Sequence, residues 1–348
     1  MALPHWQYMH GKPTAQGQLK TSNSDFKVFE HLGYDMSGEG EHLVLEIEKD
    51  GLNTAYAAKL IARWAGVTQR EIGYAGKKDR YGITRQQISV HLPGKDSPDV
   101  ADLESSQLKV LHTARHNKKI KTGALKGNRF ELIIRGLTLS QAVEERLLAI
   151  QKQGVPNYFG AQRFGFNGEN IDRANDLFAG QKVKNRDLRG MLLSAARSFI
   201  FNNVVSQRIE HDVHQIPLVG DVFMLAGTKA SFKPDSNDSS IDERFEEGDI
   251  TLSAPLWGKG VNKSTDKALL LEQSVVDEHA DLATGLENFG LKQERRALIV
   301  IPQNMTWQAN DNDLKLNFSL PSGSYATSVL RELAQITDQS LVNSTGAQ

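Results

Sequence analysis

The order in which strand and helix patterns follow one another is the feature that most constrains this fold. Strand patterns dominate the first part of the chain, helix patterns dominate the middle, and strand alternation returns near the end. Such an order is typical of one β-rich domain interrupted by an inserted domain. We therefore predict an α+β fold in which residues 1–153 and 303–348 form one domain and residues 154–302 form the inserted one. The second part of the first domain is expected to end in a helix at about 324–336 and a tail at 343–348.

Two local patterns predict a strand and a helix in the first part. Leu43, Leu45 and Ile47 recur at a period of two, which indicates a half-buried strand. Asn53 is suited to cap a helix that runs to about Trp64, because its side chain can accept a backbone hydrogen bond. The apolar side of this helix is expected to carry Tyr56, Leu60, Ile61 and Trp64.

Residues 73–86 read Gly-Tyr-Ala-Gly-Lys-Lys-Asp-Arg-Tyr-Gly-Ile-Thr-Arg-Gln and place one carboxylate, Asp79, among adjacent cations. The glycines at 73, 76 and 82 permit positive φ or close backbone approach, so we expect a tight loop between two strands. Such a loop would hold Asp79 rigidly.

The neighbouring cations suggest two uses for this loop. Lys77, Lys78 and Arg80 should favour the ionised carboxylate of Asp79 and lower its pKa. An ionised carboxylate can act as a nucleophile or a base, and the same cations could contact phosphates. The pattern is also typical of an ordinary solvated turn with a weak ion pair.

Composition excludes several classes of site. The chain has no cysteine, and therefore no disulfide, thiolate nucleophile or cysteine-ligated zinc. It has no apolar run of about 20 residues and no secretory signal pattern, so we expect a protein of the cytoplasm without a membrane anchor. No Gly-x-Gly-x-x-Gly motif follows a predicted strand, which argues against a usual dinucleotide fold. A cofactor-free enzyme fits these features best.

Charge is distributed unevenly along the chain. The net charge is −1, so affinity for nucleic acid would have to come from local patches. Residues 115–135 carry seven Lys or Arg against one acid, residues 182–208 carry six against one, and residues 235–249 carry seven acids against one Arg. The separation predicts a positive face, although two ordinary solvated faces would leave the same pattern.

Several aromatic side chains lie beside polar, flexible positions: Phe26, Phe130, Phe159 and Tyr325. A ring presented in this way can stack on an unpaired base, and Asn128 could read a base edge. Core packing is the more common role of such rings.

Five motifs occur in order along nearly the whole chain. They are Lys20-x4-Asp25-Phe26-x-Val28-x-Glu30, Gly76-x-Lys78-Asp79 with Thr84-x-Gln86, Gly127-Asn128-x-Phe130, Pro156-Asn157-Tyr158-Phe159-Gly160-x-Gln162-Arg163-Phe164-Gly165, and Gly323-Ser324-Tyr325-Ala326-Thr327. Together these motifs resemble those of the TruD family of tRNA pseudouridine synthases.

The resemblance implies a pseudouridine-synthase fold, which is a mixed, largely antiparallel sheet with helices, interrupted by an inserted α/β TRUD domain. A tRNA would be held in the cleft between the two domains. The protein is expected to act as a monomer without a cofactor, a metal or a membrane.

The resemblance also assigns roles to residues of these motifs. Asp79 matches the family's catalytic aspartate. Phe26 and Asn128 match positions of the uridine pocket. Tyr325 matches a pocket position at which the family pattern has Phe, so its hydroxyl needs a partner. The motif residues that are further expected to bind substrate are Lys20, Lys78, Phe130 and Arg163.

The implied reaction isomerises the uridine at tRNA position 13. The C1′–N1 bond is cleaved, the uracil turns, and C5 joins C1′. Asp79 would either attack the sugar or take a proton from it. A non-catalytic RNA-binding protein or tRNA chaperone with the same patches remains an alternative. A metal-dependent nuclease is a third, although no clustered carboxylates accompany Asp79.

Overall fold

The computed structural model describes residues 3–235 and 238–341. These residues form two compact units. The sheet unit contains 13–151, 302–323 and 333–341 of the described chain, and the helical unit contains the rest. Residues 3–12 and 324–332 were predicted to lie in the interrupted domain but belong to the helical unit. The expected tail at 343–348 lies outside the described residues.

The strands, in chain order, are β1 (Gln16–Leu19), β2 (Phe26–Leu32), β3 (His42–Asp50), β4 (Ile72–Tyr74), β5 (Ile83–His91), β6 (Leu108–His116), β7 (Leu125–Ile134), β8 (Val155–Pro156), β9 (Phe223–Leu225), β10 (Ser231–Phe232), β11 (Ile250–Leu256), β12 (Glu294–Ala297), β13 (Ile299–Val300), β14 (Gln303–Asn310), β15 (Asp313–Pro321) and β16 (Gln335–Asp338).

The α-helices are α1 (Thr54–Trp64), α2 (Gln141–Gln153), α3 (Glu169–Phe178), α4 (Arg186–Glu210), α5 (Ile241–Glu246), α6 (Asp266–Glu278), α7 (Ala280–Asn288) and α8 (Ala326–Leu333). Short 3-10 helices occur at Asn23–Asp25, Gln69–Glu71, Val100–Asp102, Ala161–Phe164 and Phe166–Gly168.

One continuous sheet organises the sheet unit. Its strand order is β14-β15-β7-β2-β5-β3-β6, and β4 pairs with the far end of β5. Strands β2 and β5 run parallel, whereas the other neighbouring pairs are antiparallel. A separate parallel pair joins β1 to β16. The expected mixed, largely antiparallel sheet is confirmed.

Helix α1 covers one end of this sheet. The Asn53 side chain accepts a hydrogen bond from the Tyr56 N–H at 2.8 Å and caps the helix as predicted. Ala57, Ala58 and Ile61 pack on buried side chains of β3 and β5. Burial of this apolar face, rather than helix propensity, supplies most of the stability of such a helix.

Helix α4 is the centre of the helical unit. Its 25 residues contact α3, α6, α7 and β11. Fully buried residues such as Ala195, Ala196 and Ile200 form its inner side. The sheet β10-β9-β11-β12 packs through a second apolar cluster that includes Phe201 and Phe223. The unit therefore has an apolar core of its own, formed by these two clusters.

Several sequence predictions differ from the structure. Tyr56 is 49% exposed, because the alanines of α1 form the buried side instead. The last helix ends at Leu333, and Ile336 lies in β16, where the edge of β1 supplies the hydrogen bonds. Within the described residues, no helix is both long and apolar enough to cross a membrane.

Candidate active site

The loop between β4 and β5 presents Asp79. Gly82 has φ +152°, and a Cβ on it would lie 2.5 Å from the carbonyl oxygen of Phe26. Gly73 is equally restricted, because its Cβ would meet the Ile120 carbonyl at 2.4 Å. Gly76 has neither a positive φ nor a close neighbour, so the expectation for that glycine was wrong. Two close backbone approaches therefore fix both ends of the loop.

Asp79 is held by a lysine from a distant part of the sequence. Its Oδ2 accepts a hydrogen bond from Lys20 Nζ at 2.8 Å, and its Oδ1 accepts one from the Tyr81 N–H at 3.3 Å. The Asp79 side chain is 33% exposed, whereas the Lys20 side chain is only 4% exposed. Lys20 also contacts Asp338 Oδ2 at 3.1 Å. An accessible carboxylate is thus oriented by a buried cation, an arrangement that suits a nucleophile or a base.

The cations adjacent to Asp79 in sequence point elsewhere. Lys78 Nζ donates to Glu30 Oε2 at 2.7 Å, and both side chains are buried. The guanidinium of Arg80 lies 5.8 Å from the ring centre of Tyr81. The expected contact between Asp79 and its sequence neighbours is therefore replaced by the contact with Lys20.

Buried polar contacts also anchor the backbone of the loop. The Lys78 N–H donates to Thr54 Oγ1 at 2.8 Å, and that hydroxyl donates to Gln86 Oε1 at 2.8 Å. These contacts connect the loop to the start of α1 and to β5. A loop anchored in this way keeps Asp79 in a defined place.

A second lysine lies behind Asp79. Lys49 Nζ donates to the main-chain oxygen of Asp79 at 3.1 Å and to that of Leu52 at 2.6 Å. Its side chain is completely buried. Burial lowers the pKa of Lys49 to about 8, an effect that the Asp79 carboxylate opposes and the Lys78 ammonium reinforces.

Three residues that were expected to bind substrate share one face of the central sheet with this loop. The register aligns Glu30 with Asn128 and Val28 with Phe130, which places Asn128, Phe130 and Phe26 on the same face. The rings of Phe26 and Phe130 meet edge to face with centroids 6.4 Å apart. Lys20 Nζ lies 4.8 Å from the Phe26 ring centre, so the rings adjoin the ion pair.

Asn128 carries a further sign of a binding site. Its Oδ1 is buried and has no hydrogen-bond partner among the described residues. A buried acceptor without a partner is costly, and a ligand N–H can satisfy it.

Arg163 and Tyr325 meet within the helical unit. Arg163 Nη2 donates to the Tyr325 hydroxyl at 2.6 Å, and its Nη1 donates to Ser194 Oγ at 3.1 Å. The Tyr325 ring lies 5.8 Å from that of Phe159. The hydroxyl that distinguishes Tyr325 from the family pattern therefore has a partner.

Arg296 belongs to the same cluster. Its guanidinium lies 4.2 Å from the centre of the Phe159 ring, and its Nη2 donates to Asn157 Oδ1 at 2.6 Å. Burial lowers the pKa of Arg296 to about 10; the Tyr325 hydroxyl opposes this shift, and the Arg163 charge adds to it. The group stays charged at neutral pH.

The basic stretches only partly form exposed patches. Arg135 is bound to Asp25 and Asp313, and Arg208 is completely buried against Asp221. These two cations are therefore structural. Within residues 115–135, the exposed lysines are Lys118, Lys121 and Lys126.

The described residues contain no group of three or more His, Asp or Glu side chains that could hold a metal ion. These residues therefore offer no ligand set for a metal-dependent nuclease, the third alternative that the sequence left open.

Lys49 and Asp338 were missed by sequence reasoning. Lys49 continues the period of Leu43, Leu45 and Ile47 on β3, so the alternation that predicted a buried face also implied a buried lysine. Asp338 had no such signal, because its contact with Lys20 depends on the pairing of β1 with β16.

The chain is similar to known proteins over nearly its whole length. The profile of the family tRNA pseudouridine synthase D (TruD) matches residues 4–171 and 171–333. The tRNA pseudouridine synthase D of Colwellia psychrerythraea is 46% identical over 341 residues, covering 95% of this chain and 93% of its relative. That of Aeromonas hydrophila is 46% identical over 333 residues, with 96% and 95% covered.

A solved structure shares the fold. The crystal structure of a Methanosarcina mazei protein named as a tRNA pseudouridine synthase D superposes with a TM-score of 0.73 and covers 95% of this chain and 96% of its own. At 24% identity this likeness concerns the fold alone. The profile match and the curated relatives, each spanning nearly the full length, show that this chain belongs to the tRNA pseudouridine synthase D family.

Proposed function

We propose that this protein isomerises uridine to pseudouridine at position 13 of tRNA, with Asp79 as the catalytic carboxylate. Uridine isomerisation in tRNA is the activity that the names of its full-length relatives describe. The observation that carries the role of Asp79 is its contact with Lys20: a partly exposed carboxylate is held by a buried ammonium.

The chemistry needs no redox change. The C1′–N1 bond of uridine breaks, the freed uracil turns, and a new bond joins C5 to C1′. The proton on C5 leaves to solvent, and N1 gains one. Asp79 either attacks C1′ or removes a proton from the sugar, and both roles require an ionised and accessible carboxylate.

The base has to leave its stack before it can react. Unstacking costs a few kcal/mol, which contacts to the flipped base can offset. Phe26 and Phe130 offer apolar rings beside Asp79, and the unpartnered Oδ1 of Asn128 can accept the N3–H of uracil. Tyr325, with Arg163 on its hydroxyl, is proposed as a substrate-binding ring of the helical unit.

The lysines near the loop divide into two roles. Lys20 orients Asp79, since its ammonium contacts the carboxylate directly. Lys78 is buried against Glu30, and we propose that it shapes the loop rather than contacts a phosphate. Exposed cations such as Lys118 and Lys121 are better placed for phosphate contacts. The protein is proposed to act as a monomer in the cytoplasm, where tRNA is available.

The test is release of tritium from tRNA transcripts labelled at uridine C5. With a transcript that carries uridine at position 13, the native protein should release one equivalent of tritium and Asp79→Asn should release none. A transcript with cytidine in place of uridine 13 should release none with either protein. Release that persists with Asp79→Asn removes the catalytic assignment. Tight RNA binding without release from any transcript favours the RNA-binding or chaperone alternative.

A further inference from the structure

We propose that Lys49 is a positioning residue for the reaction, because its buried ammonium holds the main chain of Asp79 and so determines where the carboxylate lies. This inference rests on the proposed catalytic role of Asp79.

The contacts of Lys49 connect two separate segments to one strand. Its Nζ lies 3.1 Å from the carbonyl oxygen of Asp79 and 2.6 Å from that of Leu52. Leu52 precedes α1, whereas Asp79 lies in the loop before β5. The ammonium therefore ties the catalytic loop to β3 and to the start of α1, all within the sheet unit.

Burial of the Lys49 ammonium without a paired acid costs free energy of folding. On the neighbouring strands, Lys49 lies opposite Thr84 of β5 and Leu108 of β6, neither of which has a carboxylate. Buried lysines are normally paired with acids, because an ammonium loses its hydration on burial. Lys49 is instead bound to two carbonyl oxygens. An apolar residue would continue the pattern of Leu45 and Ile47 without this cost.

The charged groups around Lys49 lie on the Asp79 side. They are Asp79 and Lys78 in the loop and, through the carboxylate, Lys20 after β1. Lys20 contacts the Asp79 side chain and Lys49 contacts the Asp79 main chain. The carboxylate is thus positioned by two ammonium groups, one acting on each part of the same residue. Removing Lys49 frees the backbone of Asp79 while leaving the Lys20 contact available.

The experiment compares Lys49→Met and Lys49→Gln with the native protein. Single-turnover tritium release, the Kd for tRNA and the unfolding midpoint are measured for each. Misplacement of a reacting group by about 1 Å can cost roughly 100-fold in rate. We expect the rate to fall at least about 10-fold, with Kd changed less than about twofold. Lys109→Met is the matched control, because Lys109 is exposed on β6 and should leave the rate unchanged.

A pH profile separates positioning from a general loss of structure. Deprotonation of Lys49, whose pKa is about 8, weakens its two charge-assisted hydrogen bonds to the Asp79 and Leu52 oxygens, so the native rate should fall between pH 7 and 9 at saturating tRNA. The Lys49→Met rate should be low at every pH, without this decline.

The outcomes are distinct. A folded Lys49→Met protein with a rate within threefold of native overturns the inference, as does parallel loss of rate, binding and unfolding midpoint. If neither variant folds, the native profile decides, and a pH-independent rate overturns the inference. Failure of the proposed function is recognisable separately, because Asp79→Asn would then release tritium or the native protein would not.

Discussion

Lys20 and Asp79 are 59 positions apart in the sequence, yet Lys20 Nζ lies 2.8 Å from Asp79 Oδ2. Lys20 adopts φ +58°, a left-handed conformation that is unfavourable for a residue with a side chain. This strained conformation occurs at the residue whose ammonium contacts the Asp79 carboxylate. Strained backbone is often found at residues that carry out chemistry.

Replacement of Lys20 should therefore impair the reaction more than the fold. Lys20→Met removes the cation that orients Asp79, and we expect the rate constant of tritium release to fall about 100-fold or more. Lys27→Met is the control, because Lys27 is half-buried on the other face of β2. Equal rates for Lys20→Met and native protein would contradict the role given to this ion pair.

The two glycines of the catalytic loop should respond differently to the same substitution. Gly82→Ala places a Cβ 2.5 Å from the Phe26 oxygen at an unfavourable φ, so we expect a loss of about 1 to 3 kcal/mol in unfolding free energy together with activity. Gly76→Ala has its nearest atom at 3.7 Å and should be tolerated. Urea denaturation and tritium release measure both effects. Similar losses for the two variants would be inconsistent with this geometry.

The Tyr325 hydroxyl should contribute to stability through Arg163. Tyr325→Phe leaves the donor Arg163 Nη2 without this acceptor and should lower the unfolding free energy by about 1 to 2 kcal/mol. The ring remains, so activity should fall only a few-fold, whereas Tyr325→Ala should lose far more. Tyr56→Phe provides the control, since Tyr56 is half exposed and its ring lies outside this cluster. An unchanged unfolding free energy for Tyr325→Phe would show that this hydrogen bond does no more than offset the cost of desolvating the hydroxyl.

Lys78 provides a test of which lysines meet the RNA. Lys78→Met leaves Glu30 buried without its cation, so the unfolding free energy should fall by about 3 kcal/mol. The salt dependence of tRNA binding should stay unchanged. The exposed Lys118→Met should show the reverse, with a slope of log Kd against log salt that is smaller by about 1. A smaller slope of log Kd against log salt for Lys78→Met would indicate that Lys78 contacts a phosphate.

Lys49 should make stability depend on pH in the alkaline range. Its pKa is about 8 in the folded protein and 10.5 as the ordinary value, so between these values the unfolded chain binds more protons. Stability from this group therefore rises as pH increases through that window. Between pH 7.5 and 9.5 the native protein should gain about 2 kcal/mol relative to Lys49→Met. Urea denaturation at both pH values measures the difference, and an equal pH response of the two proteins would argue against a depressed pKa.

Local patterns in the sequence were sufficient for much of the fold. Asn53 predicted the start of α1, because a capping side chain acts on a backbone N–H only a few residues away. The alternation of Leu43, Leu45 and Ile47 predicted β3 and its buried face. The same local approach was wrong for Tyr56 and for Ile336, where packing and strand pairing override the periodic pattern.

By itself, the sequence determined that Asp79 lies in a glycine-bearing loop between two strands, and its motifs indicated the family. Only the tertiary structure decided which cations serve that carboxylate. Lys78 and Arg80 contact other groups, while Lys20 follows β1 and Lys49 lies on β3. Contacts of this kind depend on strand order and register, which bring distant residues within hydrogen-bonding distance and leave no periodic signal in the chain.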